Sequence, residues 1–250
     1  MQRQNLAAII LAAGQGKRMQ SDLAKVLHPV LGRPMLDHVL DATGEAGVGR
    51  TIVIVGHQAE RVRAAMAGRG VEFAVQSEQK GTGHAVMQAR PLLGEHRGDV
   101  LVLCGDTPLL TSETLAALLA THHDTGASAT VLTAELPDPT GYGRILRGPD
   151  GAVRRIVEHK DATEDERRVR EINSGLFAFT TTDLFAALDQ VGCDNAQGEY
   201  YLTDTLEILL RHGKRVSAHR CLDAGEVVGV NTLEQLHAVE SAMRERSRHA

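Results

Sequence analysis

A run of apolar residues from Leu6 to Ala13 ends abruptly in Gly14-Gln-Gly-Lys-Arg18, and this junction limits the folds open to the chain more than any other segment. Such a continuous run reads as a strand covered on both faces, the habit of parallel sheets packed between helices. Glycines at 14 and 16 then allow a tight turn and let backbone N–H groups approach an anion. Arg18 and Lys25 add a planar guanidinium and a point-like ammonium, donors suited to different oxygens of one polyphosphate. The first strand-to-helix turn therefore reads as a triphosphate loop.

Spacing excludes two commoner glycine motifs. A dinucleotide fingerprint needs a third glycine where Met19 stands and an acidic residue about 20 positions on, whereas only Asp37 and Asp41 follow, beyond Pro34. A P-loop needs four residues between its glycines and then Gly-Lys-Ser/Thr, but here Gly16-Lys17 runs into Arg18. What remains beside the triphosphate reading is an ordinary turn carrying two surface cations.

Further apolar runs at Thr51 to Val55, Val71 to Val75, Val100 to Cys104 and Ala127 to Thr133 are also continuous rather than alternating. Helical stretches at Pro34 to Glu45, Gln58 to Ala67, Gly83 to Leu93 and Ser112 to Thr121 separate them. Ser112 reads as an N-cap, with Leu115, Leu118 and Leu119 on one face. After Leu136-Pro-Asp-Pro139 the alternation loosens. Ile145-Leu146, Val153 to Val157 and Ile172 to Phe179 read as short strands, and the charged Thr163 to Arg170 as a solvated loop. The class is α/β, with a smaller lobe appended to the first half.

A net charge of -5 without a run of five basic residues leaves no electrostatic footprint for nucleic acid. No apolar stretch approaches the roughly 20 residues that span a bilayer, so no membrane partner is expected. The N-terminal run follows a single arginine and enters the glycine motif directly, unlike a secretory leader. Cys104, Cys193 and Cys221 are odd in number and widely spaced, which fits a reducing cytoplasm rather than a disulfide framework or a zinc site.

Val100 to Asp106 is a buried strand ending in Gly105-Asp106, where α/β sheets present ligand-binding groups. Asp106 is thus a candidate ligand for a hard cation, or a turn aspartate before Thr107-Pro108. Gln76 follows the Val71 to Val75 run. Its amide offers a donor and an acceptor side by side, able to read a uracil edge, or it is a surface glutamine. Asn231-Thr-Leu-Glu234 reads as a helix N-cap with glutamate at N3, and Glu158-His-Lys-Asp161 as an exposed charged turn. His28, His38, His57, His84, His122 and His123 lack metal-ligand spacing and read as structural or surface residues.

Leu11-Ala-Ala-Gly-Gln-Gly-Lys-Arg-Met19 with Lys25 resembles the signature of the sugar-1-phosphate nucleotidylyltransferases. Gln76, Gly81-Thr-Gly-His-Ala85, Gly105-Asp106, Gly141-Tyr-Gly-Arg144, Ile156 to Asp161, Glu171 to Gly175, Asn195 to Tyr201 and Gly229-Val-Asn231 follow in the order of the bacterial N-acetylglucosamine-1-phosphate uridylyltransferases. The resemblance spans residues 6 to 231. It implies a Rossmann-like, mostly parallel sheet of the nucleotide-diphospho-sugar transferase type with a sugar-binding lobe. It also implies Mg2+-dependent uridylyl transfer from UTP to a sugar 1-phosphate.

By that resemblance Arg18, Lys25 and Asp106 are catalytic, and Asp106 and Asn231 hold Mg2+. Leu11, Ala12, Ala13, Gly14, Gln76, Gly81 and Thr82 line the nucleotide site. Cys104, Gly105, Gly143, Glu158, Asn173, Thr203 and Asn231 complete the substrate pocket. Relatives often carry tyrosine before the Gly-Asp pair, where this chain has Cys104, and that difference falls beside the sugar. Competing readings are transfer to a different sugar 1-phosphate, or a nucleotide sensor without turnover. Residues 1–231 read as the transferase domain and 232–250 as one amphipathic helix carrying Leu233, Leu236, Val239 and Met243 on one stripe. No β-helix repeat is present to carry the acetyl transfer of bifunctional relatives, and an oligomer is compatible with the composition.

Overall fold

The uninterrupted apolar strands are explained by a sheet with helices on both faces, seen in a computed structural model that describes residues 5–249. Along the chain, β1 (Leu6–Ala12) precedes a short hairpin, β2 (Pro29–Val30) and β3 (Arg33–Pro34). Next come α1 (Met35–Glu45), β4 (Arg50–Val55), α2 (Ala59–Ala65), β5 (Glu72–Val75), α3 (Thr82–Met87), α4 (Arg90–Leu93), β6 (Asp99–Cys104) and α5 (Ser112–Thr125). The second part holds β7 (Ala129–Glu135), β8 (Arg144–Arg147), β9 (Val153–Val157), α6 (Glu164–Arg167), β10 (Glu171–Thr180), α7 (Thr181–Leu188), α8 (Asp204–Arg211), β11 (Val216–Arg220) and α9 (Leu233–His249). Residues 1–4 and 250 of the two expected segments lie outside the described residues.

The main sheet runs β11-β7-β10-β6-β1-β4-β5, with β8 and β9 added beside β10. β5, β4, β1 and β6 are parallel, β10 is antiparallel to both β6 and β7, and β11 is parallel to β7. The fold is thus α/β with a mostly parallel sheet. Successive residues of each central strand serve opposite cores. Ile9, Ile52, Ile54, Val100 and Val102 enter one cluster, with Phe177 and Phe179 stacked behind them. Ile10, Val53, Val55, Leu101 and Leu103 enter the other. Both faces are dry, so neither parity of position has a use for a polar residue.

Four local readings need correction. Thr111, not Ser112, caps α5, its hydroxyl accepting the Thr114 N–H at 3.2 Å. The stretch read as one helix from Gly83 to Leu93 is two, because Pro91 lacks an N–H and its ring would meet the carbonyl of Met87, the last residue of α3. The charged loop after Ala162 contains α6, closed by a reciprocal capping box between Thr163 and Glu166. Finally, the stripe on α9 begins at Leu236. That residue and Val239 pack on Met19, Val30, Met35 and Leu109, while Leu233 stays 46% exposed. No helix among the described residues is long and apolar enough to cross a membrane.

The first turn of α3 crosses the backbone of residues 200–202. Gly83 donates its N–H to the Tyr200 carbonyl at 2.8 Å, and a Cβ there would stand 2.9 Å from that oxygen and 3.2 Å from the Tyr201 carbonyl carbon. Alanine gains about 1 kcal/mol over glycine in a helix, but rigid overpacking costs about 1–3 kcal/mol. Gly83→Ala should therefore destabilise the protein on balance. Urea unfolding measures the difference, and a variant more stable than wild type would contradict this packing.

Candidate active site

β1 and β6 run side by side in parallel with Leu11 opposite Cys104, so the loops leaving them emerge together at the carboxyl edge of the sheet. Gly16 turns the first loop with φ +63°, and a Cβ there would lie 2.8 Å from Cβ of Lys25. Its glycine thus serves both the left-handed backbone and the close passage of the lysine. Buried Val26 and Leu27 anchor the helical turn that begins at Lys25 and aim the ammonium back at the loop from β6.

Lys25 Nζ donates to the Asp106 carboxylate in a short contact and to Asn231 Oδ1 at 2.7 Å. The exposed Arg18 guanidinium reaches the same Asn231 oxygen at 2.8 Å. The structure therefore brings together all four residues read as the phosphate and metal set. Asn231 is not the cap of α9. Thr232 takes that position, its hydroxyl accepting the Gln235 N–H at 3.2 Å, and this frees the Asn231 side chain to face the lysine. Val230 N–H donates to the Asp106 carbonyl at 2.9 Å, which ties the 229–231 segment to the end of β6.

One carboxylate and one amide oxygen converge on a cation, the Lys25 ammonium. Such hard oxygen donors suit Mg2+ held by few protein ligands together with phosphates and water. Among the described residues no cluster of three or more His, Cys, Asp or Glu side chains forms a protein-only cage.

Beside this group lies a cleft of about 290 Å³, walled by Leu11, Ala12, Ala13 and Gly14, by Lys25, Cys104 and Asp106, and by Gln76, Gly81 and Thr82. Gln76 is buried, with Nε2 donating to the Gly81 carbonyl at 3.0 Å and lying 3.1 Å from His84 Nδ1. The Thr82 hydroxyl accepts the Leu202 N–H at 3.1 Å. Four cleft residues, Val26, Gln79, Ala85 and Glu199, were not among the expected site residues. Gln79 donates to the Ala13 carbonyl at 2.6 Å, and Glu199 lines the cleft beside Gly81. Nothing in the pattern of Ser77, Glu78 and Lys80 sets Gln79 apart.

The other expected residues gather in the appended lobe. Asn173 N–H donates to the Gly143 carbonyl at 2.9 Å, and a Cβ on Gly143 would stand 3.4 Å from Glu158 Oε2. Glu158 Oε1 accepts the Thr203 hydroxyl at 3.1 Å. The Glu158 turn is exposed at Lys160 and Asp161, as expected, but Glu158 and His159 are half-buried, and burial pushes the Glu158 carboxyl above the usual range despite the Thr203 hydrogen bond. β10 shifts register between Asn173 and Phe177, and the irregularity links the lobe to the cleft. Gly175 donates its N–H to Asn173 Oδ1 at 2.9 Å, while the Cys104 thiol lies 3.6 Å from the Gly175 carbonyl. Burial, reinforced by Asp106, pushes that thiol up to about 12, so Cys104 meets the cleft as a neutral group. Gly105 continues the β6 edge, its N–H donating to the Leu11 carbonyl at 2.9 Å.

Residues 8–199 match the model of the MobA-like NTP transferase domain. The chain is 54% identical over 243 residues to the bifunctional protein GlmU of Exiguobacterium sibiricum, and 51% identical over 239 residues to that of Bacillus subtilis. These alignments cover 97% and 96% of this chain but 54% and 52% of those proteins, so the chain spans about half the length of the curated relatives it matches. Among solved structures, UDP-glucose pyrophosphorylase complexed with UDP-glucose shares the fold, with a TM-score of 0.77 at 17% identity over 96% of this chain and 98% of that one.

Asp204, at the start of α8, reports on the cost of the acidic lobe. Burial, with Glu207 and Asp161 adding, raises its carboxyl from the ordinary 3.8 to about 6. The folded state then holds this proton more tightly than the unfolded chain, so the contribution of Asp204 to stability falls as pH rises between those two values. Asp204→Asn should flatten that part of the stability profile and be the more stable protein at pH above about 6. Denaturant unfolding at several pH values checks it, and a wild-type slope retained in the variant would assign the effect elsewhere.

Proposed function

Because the chain belongs to the family of MobA-like NTP transferase domains, we propose that it transfers a uridylyl group from UTP to N-acetylglucosamine 1-phosphate, giving UDP-N-acetylglucosamine and pyrophosphate. The observation that carries this reading is the meeting of Arg18 and Lys25 with Asp106 and Asn231 beside the cleft, whose wall residue Cys104 is joined through Gly175 to Asn173 of the neighbouring lobe. Strong similarity to the GlmU proteins supports nucleotidyl transfer. The ordered motifs between residues 6 and 231 support the choice of UTP and this sugar phosphate.

In the reaction the sugar-phosphate oxygen attacks the α-phosphorus and the bond to pyrophosphate breaks. A phosphate monoester has its second pKa near 6, so the nucleophile is already mostly anionic at neutral pH and needs no general base. The protein's task is to align two anions that repel one another and to neutralise charge on the leaving group. Arg18 and Lys25 serve that task from the turn after β1. Asp106 and Asn231 would hold Mg2+, which when bound neutralises charge on the triphosphate. Gln76 addresses the base, and Gly143, Glu158, Asn173 and Thr203 address the sugar. Cys104, as a neutral thiol, adds no charge beside the phosphates.

Pyrophosphate release measured across a matrix of nucleoside triphosphates and sugar 1-phosphates tests the assignment. The highest rate should come from UTP with N-acetylglucosamine 1-phosphate. Binding of UTP without release of pyrophosphate for any acceptor would leave a nucleotide sensor instead.

Two variants separate the roles. Asp106→Asn removes the only anion of the metal set and should lower turnover about a hundredfold, or about 2.7 kcal/mol of transition-state stabilisation. Near-native turnover with an unchanged Mg2+ optimum would reduce Asp106 to a turn residue. Glu158→Ala should raise KM for the sugar phosphate, and an effect confined to UTP would contradict its placement.

A further inference from the structure

His84 stands on the first turn of α3 and is half-buried behind the cleft wall. Its Nδ1 lies 3.1 Å from Gln76 Nε2, and the same amide nitrogen donates to the Gly81 carbonyl at 3.0 Å. An amide nitrogen carries two hydrogens and no lone pair, so both partners must accept. The carbonyl always does. The imidazole does so only as the neutral tautomer with its proton on Nε2.

Gln88 Nε2 is the competing donor, 3.3 Å from His84 Nε2 while donating to the His84 carbonyl at 2.9 Å. A neutral ring accepts at one nitrogen only. Gln76 is 4% exposed, whereas Gln88 is half-buried and better able to use solvent, so the lone pair is assigned to Nδ1. Turning the Gln76 amide over would set Oε1 against the Gly81 carbonyl, acceptor against acceptor. Both hydrogens of Nε2 are therefore committed to the protein, and Oε1 is the group left for a ligand.

We infer that His84 is the positioning residue for base selection: together with the Gly81 carbonyl it fixes the Gln76 amide so that this side chain offers a pyrimidine an acceptor and no donor. Uracil presents an N3–H donor, and cytosine presents a lone pair at the same atom. The arrangement therefore favours UTP over CTP by chemistry rather than by size. This deepens the proposed function and rests on its reading of Gln76 as the base-contacting residue.

The test is kcat/KM for UTP and for CTP with wild type, Gln76→Ala, His84→Ala, His84→Asn and the double alanine variant. His84→Ala should lower the UTP/CTP ratio several-fold, because the amide then keeps only the Gly81 carbonyl to hold its orientation and turns more readily to accept either base. His84→Asn can place an acceptor near the Nδ1 position and should recover most of the ratio. The double variant should be no less selective than Gln76→Ala, since both act through one amide. Both nucleotides are measured on one preparation, so a reduced folded fraction cancels. If His84→Ala yields no soluble protein, His84→Phe supplies a ring without the lone pair. A wild-type ratio in the His84 variants, alongside a relaxed ratio in Gln76→Ala, overturns the role of His84. Wild type without UTP preference, or Gln76→Ala with unchanged selectivity, overturns instead the reading of Gln76 on which the role depends.

Discussion

The parallel pairing of β1 with β6 is the constraint from which the site follows. With Leu11 opposite Cys104, the chain leaves both strands at one edge, and two loops far apart in sequence are forced into contact. The pairing is secured by burial on both sides, since Ile9 and Val102 feed one core while Ile10 and Leu101 feed the other. A slip of one residue would exchange the two sets and turn every side chain to the wrong core. Lys25 then closes the arrangement. Its ammonium, on a side chain only 14% exposed, bonds to a carboxylate 81 residues away and to an amide 206 residues away. Removing one partner of such a pair leaves the other charge poorly solvated, which costs more than the pair itself contributes.

Charge is divided between the cleft and the neighbouring lobe. Arg18 and Lys25 stand at the β1 turn, while Glu158, Asp161, Glu199 and Asp204 crowd the lobe. Burial raises the carboxyls of Glu158 and Asp204, and neighbouring acids raise them further. A sequence selected only for stability would not gather these groups. The arrangement has a chemical use if cations meet phosphates in the cleft and carboxylates accept from sugar hydroxyls in the lobe.

What could be read from the sequence follows from what each element touches. β1, β4 and β6 were legible because both faces are dry and the apolar signal is unbroken. β11 was not, since Val216 to His219 are only half-buried at the sheet edge and carry no apolar run. The division of α3 from α4 was written in Pro91, and α6 in the Thr163-x-x-Glu166 pair. In both places a stronger surrounding pattern, apolar in one and charged in the other, hid the local signal. In the site, Arg18 and Lys25 were legible from one turn, but the nearness of Asn231 depends on tertiary structure. Residues 231–234 contain a cap signal, and only the structure shows that Thr232 answers it and leaves Asn231 free. Arg144 is the extreme case. It is 1% exposed and donates to backbone carbonyls of Tyr142 and Arg167, a role that no local pattern announces.

The glycines separate packing from ligand approach. At Gly16 and Gly83 the protein itself forbids a side chain, through Lys25 in one case and the backbone of residues 200–202 in the other. Gly14 differs. A Cβ there meets nothing within 4 Å, and its φ lies outside the left-handed region, so neither packing nor backbone conformation accounts for glycine. It is exposed at the lip of the cleft beside Ala13 and opposite Lys25. Glycine there also weakens the folded state through its entropy in the unfolded chain, with no compensation inside the protein. Gly44 and Gly192 share both properties, so it is the place of Gly14 at the cleft, not the open space alone, that suits it to the close approach of a ligand under the proposed function. If this turn holds the triphosphate as proposed, it is the place where local stability is given up to bring backbone N–H groups within reach of an anion.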